Sequence, residues 1–155
     1  MVNEIEKEYI KLCKKYKLPK FKDLNNEFEI SRLDNVDFLI RNILRNVAEK
    51  LEFYCNLINE LLQPDTSSLS SMHEVRFFTD SEKNKLYNQF KKLMKTHRNI
   101  IRLVLEHDEK NQAKFLNSFF SEWLEIKKQL INYLSKMKDS WDKETSMEEN
   151  IAYFG

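Results

Sequence analysis

Hydrophobic side chains recur along this chain at spacings of three and four, and nowhere at the spacing of two that a half-buried strand needs. Ile5, Tyr9, Leu12, Cys13 and Tyr16 define a first helix over residues 4–17, opened by Asn3 with Glu6 three positions later as a capping pair and closed by Lys17-Leu18-Pro19. Residues 19–33 place Phe21, Leu24, Phe28 and Ile30 at mixed spacing, which suits a packed connector with one short turn of helix. After Asp34 or Asn35 as cap, Ile40, Leu44, Val47, Leu51, Tyr54, Ile58 and Leu61 alternate by four and three down to Pro64, a helix of roughly 27 residues and about 40 Å.

Two further long helices follow. Residues 65–78 open as a serine-rich loop and end with Leu69, Met72, Val75 and Phe78 spaced by three, a short helix; Thr79 and Glu82 then form a capping box. From Asp80 to His107 the apolar line is Leu86, Phe90, Leu93, His97, Ile100 or Ile101, and Val104. From Asp108–Lys110 to Lys138 it is Leu116, Phe119, Trp123, Ile126, Leu130, Tyr133 and Met137. Short connections between long helices favour antiparallel neighbours, so the expected fold is all-α: an elongated antiparallel bundle of three long helices with an N-terminal helix and a packed connector. Residues 1–138 are expected to form one bundle domain, and 139–155 an acidic tail ending in an aromatic motif.

Composition narrows the chemistry. Gly155 is the only glycine, so the phosphate-cradling loops, dinucleotide fingerprints and nucleophile elbows that need positive φ or close backbone approach have no residue to build them. Cys13 and Cys55 fall on apolar helix faces and read as buried thiols of a reducing compartment. No apolar run approaches the roughly 20 residues that cross a bilayer, and the charged first residues lack the apolar stretch of a secretory signal, so a cytoplasmic protein without a membrane partner is expected. The histidines, His73, His97 and His107, have Ser70, Met94 and Val104 three positions before them, not the glutamate of a di-iron helix motif. No acid pair lies beside a histidine or polar loop that would tune it for catalysis. The expectation is a protein that is not an enzyme, with no metal and no cofactor.

Charge is the more informative signal, because the near-neutral total hides segregation. Residues 1–22 carry seven cations and three anions, 23–62 four and eight, and 81–107 seven and two. Within the last segment Lys91, Lys95, Arg98 and Arg102 share one helical stripe, first of all a solvated flank paired with acidic segments, with contact to nucleic acid or another anionic polymer as the alternative. The lysines at 14–22 are first of all cations favoured at a helix C-terminus. Finally, the helices carry more apolar surface than a bundle of this size buries. Phe38 and Phe53 project opposite the Val47 and Leu51 line, Ala113, Phe115, Leu124 and Ile131 widen the arc of the last helix, and the terminus adds Tyr153 and Phe154. Phe38, Phe53, Phe115, Leu124, Tyr153 and Phe154 are therefore the expected partner surface of a scaffold or adaptor that self-associates or binds another protein, with coverage by the N-terminal segment as the competing account.

Overall fold

The computed structural model describes residues 3–146, and these form an all-α helical bundle with no strand among them. The elements are α1 (Glu4–Tyr16), α2 (Phe21–Phe28), a 3₁₀ turn (Ile30–Arg32), α3 (Leu39–Leu62), α4 (Leu69–Val75), α5 (Asp80–Glu106) and α6 (Glu109–Ser140). The contact pattern divides the chain into two compact units: Met1–Leu51 with Thr96–Leu124, and Glu52–Lys95 with Glu125–Gly155.

In the first unit the sequence signals for α1 are realised in hydrogen bonds. Asn3 Oδ1 accepts from the Ile5 amide at 3.0 Å, Glu4 and Glu6 sit at the positive end of the helix dipole, and Lys14 and Lys15 at the negative end. Lys17 takes a left-handed conformation (φ 54°) and returns its amide to the Cys13 carbonyl, an αL stop that leaves Leu18 and Pro19 free to turn the chain. Tyr9 is fully buried and donates its hydroxyl to the Pro19 carbonyl at 2.6 Å, so the chain after α1 is tied back onto it. Burial, and Cys13 beside it, push the Tyr9 phenol well above the ordinary tyrosine range.

The connector holds more helix than its mixed spacing predicts. Leu24 and Phe28, four apart, form the inner face of the eight-residue α2; Glu29 (φ 50°) breaks the helix, and the next turn buries Ile30. Side-chain bonds fix this segment, one from within and two from α3: Asn25 Oδ1 accepts from the Ser31 amide, Asn46 Nδ2 donates to the Phe28 carbonyl and Lys50 Nζ to the Glu27 carbonyl. Phe28, fully buried, lies 5.9 Å from the Phe119 ring and 5.2 Å from Trp123, whose indole N–H donates to Glu27 Oε2 at 2.8 Å. The connector thus covers part of α6 and completes a core with Ile40, Ile43, Leu44, Val47, Ile100 and Leu116.

α3 begins later than a cap at Asp34 or Asn35 implies. Asn35 Oδ1 accepts from the Asp37 amide, which tightens the chain into a local turn, and Phe38 adopts φ 53° before its carbonyl receives the first helical bond, from the Asn42 amide. Asn42 Nδ2 also donates to the Asp37 carbonyl. At the α5–α6 turn, His107 (φ 55°) reverses the chain, Asp108 Oδ1 caps the Asn111 amide, and the buried Gln112 side chain donates to the Leu103 carbonyl. Ile100, not Ile101, is the core residue.

In the second unit, Ser68 caps α4 by accepting from the Ser71 amide, and Met72, Val75 and Phe78 pack inward with Cys55, Ile58, Leu61, Leu86, Leu93, Leu130 and Met137. The capping box of α5 forms reciprocally: Thr79 Oγ1 accepts from the Glu82 amide and Glu82 Oε1 from the Thr79 amide, each at 3.1 Å. Lys136 of α6 pairs with the same carboxylate, so the first turn of α5 faces the last turns of α6 and the two run antiparallel there. The Lys136 ammonium first, and the cap bonds second, hold the Glu82 carboxyl below the usual carboxylate range. A lowered folded-state value makes this contribution complete above the unfolded-state value and lost as pH falls through the folded one. Thr79→Ala is expected to cost about 1 kcal/mol and about 2–4 °C in Tm. Glu82→Gln should melt below the wild type at neutral pH, with the gap closing in acid; thermal melts at the two conditions check both variants.

Candidate interaction surfaces

The expected partner residues fall in both units. In the first, Phe38 is exposed because the chain has not yet become helical there, not because it lies on the far side of α3. Its ring packs under the Arg41 guanidinium (4.2 Å from the ring centroid), and Arg41 Nη1 reaches His107 Nδ1 at 2.7 Å. Leu124 stands in solvent, whereas Phe115 is half-buried and stacked on Phe119 (6.0 Å, 12° between planes), the start of an aromatic run that continues through Trp123. In the second unit Phe53 is exposed and edge-on to Tyr54, and Ile131 is half-exposed. Tyr153 and Phe154 lie outside the described residues.

Further exposed apolar positions lie outside the expected partner surface: Ile10, Ile101 and Leu105 in the first unit, Leu69, Tyr87, Leu134 and Trp141 in the second; Leu69, grouped by its spacing with Met72, Val75 and Phe78, is left in water while those three are buried. Leu105 was detectable, since it falls outside the 3-4 line once Val104 is assigned inward. Ile101 was not, because Ile100 and Ile101 fit that line equally well.

The four cations of the α5 stripe are all exposed, Lys91 and Lys95 in the second unit, Arg98 and Arg102 in the first. Their contacts are light. Lys91 lies over the Tyr87 ring, Arg98 reaches His97 Nδ1 at 2.7 Å, and Arg102 bonds Asn99 Oδ1 and Glu106 Oε1. Exposed pairs of this kind are worth about 0–1 kcal/mol, so they hold the guanidinium groups without consuming them. The lysine-rich stretch at 14–22 has a plainer role at its first members: Lys15 and the Tyr16 hydroxyl both meet Glu109, and Asn117 donates to the Tyr16 carbonyl, which docks the end of α1 on the first turns of α6.

The histidines are spent on structure. His73, buried, donates Nε2 to the Ser140 carbonyl at 2.8 Å, stacks on Trp141 and meets the Thr145 hydroxyl through Nδ1. Among the described residues no group of three or more His, Cys, Asp or Glu side chains could hold a metal ion, and no helix is long and apolar enough to cross a membrane. Cys13 and Cys55 are free thiols, and burial raises the Cys13 pKa above its ordinary value. The apolar crevice between Tyr54, Leu57, Leu61, Leu130 and Leu134 has an internal volume of about 10 Å³, room for one water at most. Larger hollows in the first unit, about 290 and 420 Å³, are open and polar and meet at Leu33, Asp34 and Asn35.

Fold and surface together define a class, an all-α helical bundle with segregated charge and exposed aromatic and aliphatic side chains. Comparison with protein-family models, curated proteins and solved structures finds no match to this chain.

Proposed function

We propose that this protein is a non-catalytic helical scaffold or adaptor that works by associating with protein, in the reducing environment of the cytoplasm. One observation carries the reading: Phe38, Phe53, Leu105 and Leu124 keep 65, 61, 72 and 62% of their surface in water. Side chains of this kind become anchors once a partner desolvates them, and truncating a buried anchor costs about 2 kcal/mol or more of binding. The free thiols, and a set of histidines each occupied in side-chain or backbone contacts, accord with it. Native mass spectrometry of the pure chain, and of the chain recovered from its own cells, tests the reading. Assemblies heavier than the 18.8 kDa chain are expected in at least one sample, diminished by Phe53→Ser with Leu124→Ser while circular dichroism stays unchanged. A mass of 18.8 kDa in both samples defeats it.

A second reading rests on a separate observation, seven cations and no acid between Lys83 and Leu105. It makes the protein an accessory that binds nucleic acid through Lys91, Lys95, Arg98 and Arg102. Affinity for an oligonucleotide should then fall steeply with salt, and replacing the four by alanine should flatten that slope. A slope the quadruple variant leaves unchanged removes this reading.

A further inference from the structure

Each unit has an exposed helix face on which charges of one sign stand beside apolar side chains, and the signs on the two faces are opposite. On α5 of the first unit, Arg98, Ile101, Arg102 and Leu105 are exposed at positions i, i+3, i+4 and i+7, an arc of about 100°. On α3 of the second unit, Glu52, Phe53, Asn56 and Glu60 are exposed over an arc of the same width. The first face alternates two cations with two large apolar side chains; the second sets two carboxylates beside one large apolar side chain, Phe53, and the Asn56 amide. Among the described residues neither Glu52 nor Glu60 takes an ion pair, and the ion-pair partner of Arg102, Glu106, is itself at the surface, while Arg102 also bonds Asn99 on its own helix.

From this complementarity we infer that a second copy of this chain docks here, the Arg98–Leu105 face of one copy against the Glu52–Glu60 face of the other. Guanidinium forks meet carboxylates, the strongest charged hydrogen bonds a side-chain pair makes, while Ile101 and Leu105 cover Phe53. Exchanging Glu106 for a partner's carboxylate costs Arg102 little, because exposed pairs are weak. A phosphate polymer or an anionic membrane would satisfy the arginines alone, leaving Ile101 and Leu105 wet and the acidic face unused; a second copy satisfies both faces with one contact. A net charge of +1 lets two copies approach without strong repulsion. The contact joins unlike surfaces, so it is head-to-tail and extends beyond a dimer unless the rotation closes it into a ring.

This inference rests on the associative function proposed above, and a pair of charge reversals separates the two. The full chain is sedimented over a wide concentration range as wild type, as R98E/R102E, as E52R/E60R, and as an equimolar mixture of the two variants. The wild type is expected to gain mass with concentration, each variant to stay at 18.8 kDa, and the mixture to associate, since the basic face made acidic on one variant meets the acidic face made basic on the other. L105S, which alters no charge, should weaken wild-type association at least tenfold, and circular dichroism confirms that every variant folds. A wild type that is monomeric at all concentrations overturns the inference, as does a mixture that stays monomeric or a wild-type association indifferent to both reversals. Binding of a fluorescent oligonucleotide or of phosphatidylserine vesicles, lost in R98E/R102E without any self-association, overturns it in favour of those ligands. A chain that is monomeric when pure yet part of a larger assembly in its own cells sinks self-docking and leaves the associative function standing.

Discussion

Phe28→Ala is expected to be the most damaging single truncation in the first unit, lowering stability by about 3–5 kcal/mol. The ring is fully buried and touches two other elements: α6 through the Phe119 and Trp123 rings, and α3 through Lys50, whose ammonium lies 5.6 Å from its centroid. Removing it opens a cavity that cannot close easily, because the backbone on both sides is pinned. Asn46 holds the Phe28 carbonyl, Lys50 the Glu27 carbonyl, and Glu29 is fixed in the left-handed region. At about 2–4 °C per kcal/mol for a chain of this size, the melting temperature should fall by about 6–20 °C. Phe28→Leu should recover much of the loss, and a truncation that shifts the melt by less than a degree or two would mean that α2 does not pack on α6 as described.

In the second unit the matching prediction is His73→Ala, with an expected loss of about 2–4 kcal/mol. The ring stacks on Trp141 at 4.2 Å, meets Phe77 at 5.2 Å and donates to the Ser140 carbonyl; its loss removes apolar contact and leaves that buried acceptor with the Lys143 amide, at 3.2 Å, as its remaining donor. Trp141 is also held by Glu74, to which its indole donates, and burial raises that carboxyl above the ordinary glutamate range. Urea denaturation followed by circular dichroism measures the loss, and His73→Asn, which keeps a donor but not the ring, apportions it. Fluorescence isolates Trp141 in a Trp123→Phe background, where its emission should move to the red when His73 is removed. An unaltered Trp141 spectrum would show that the stack does not hold the chain beyond α6.

The helices were readable because helix formation is local. A run of apolar residues at three and four, an Asn or Thr at the cap and a Pro beyond the end each act within a few residues, and α1, α5, α6 and the Thr79–Glu82 box all stand where those signals put them. The same holds for what composition removed, since a chain with its only glycine at position 155 builds no glycine loop. Where an element depends on distant partners, the sequence alone was short of information. α2 exists because Leu24 and Phe28 reach a core made by α6 and because Asn46 and Lys50 hold its carbonyls, all contacts far along the chain. The late start of α3 follows from a turn at 34–38 in which side-chain bonds from Asn35 and Asn42 outweigh the helical pattern.

The surface divides in the same way. Charge segregation and the alignment of Lys91, Lys95, Arg98 and Arg102 are properties of spacing, and the tertiary structure leaves them exposed. Which apolar residues remain in water is not a property of spacing. Phe115 is drawn inward by Phe119, Ile100 goes to the core and Ile101 does not, and Leu105 is left outside although its neighbour Val104 is buried. A helix has a full circle of positions, and the sequence sets which arc is apolar. Only the packing of the neighbours decides how much of that arc they cover.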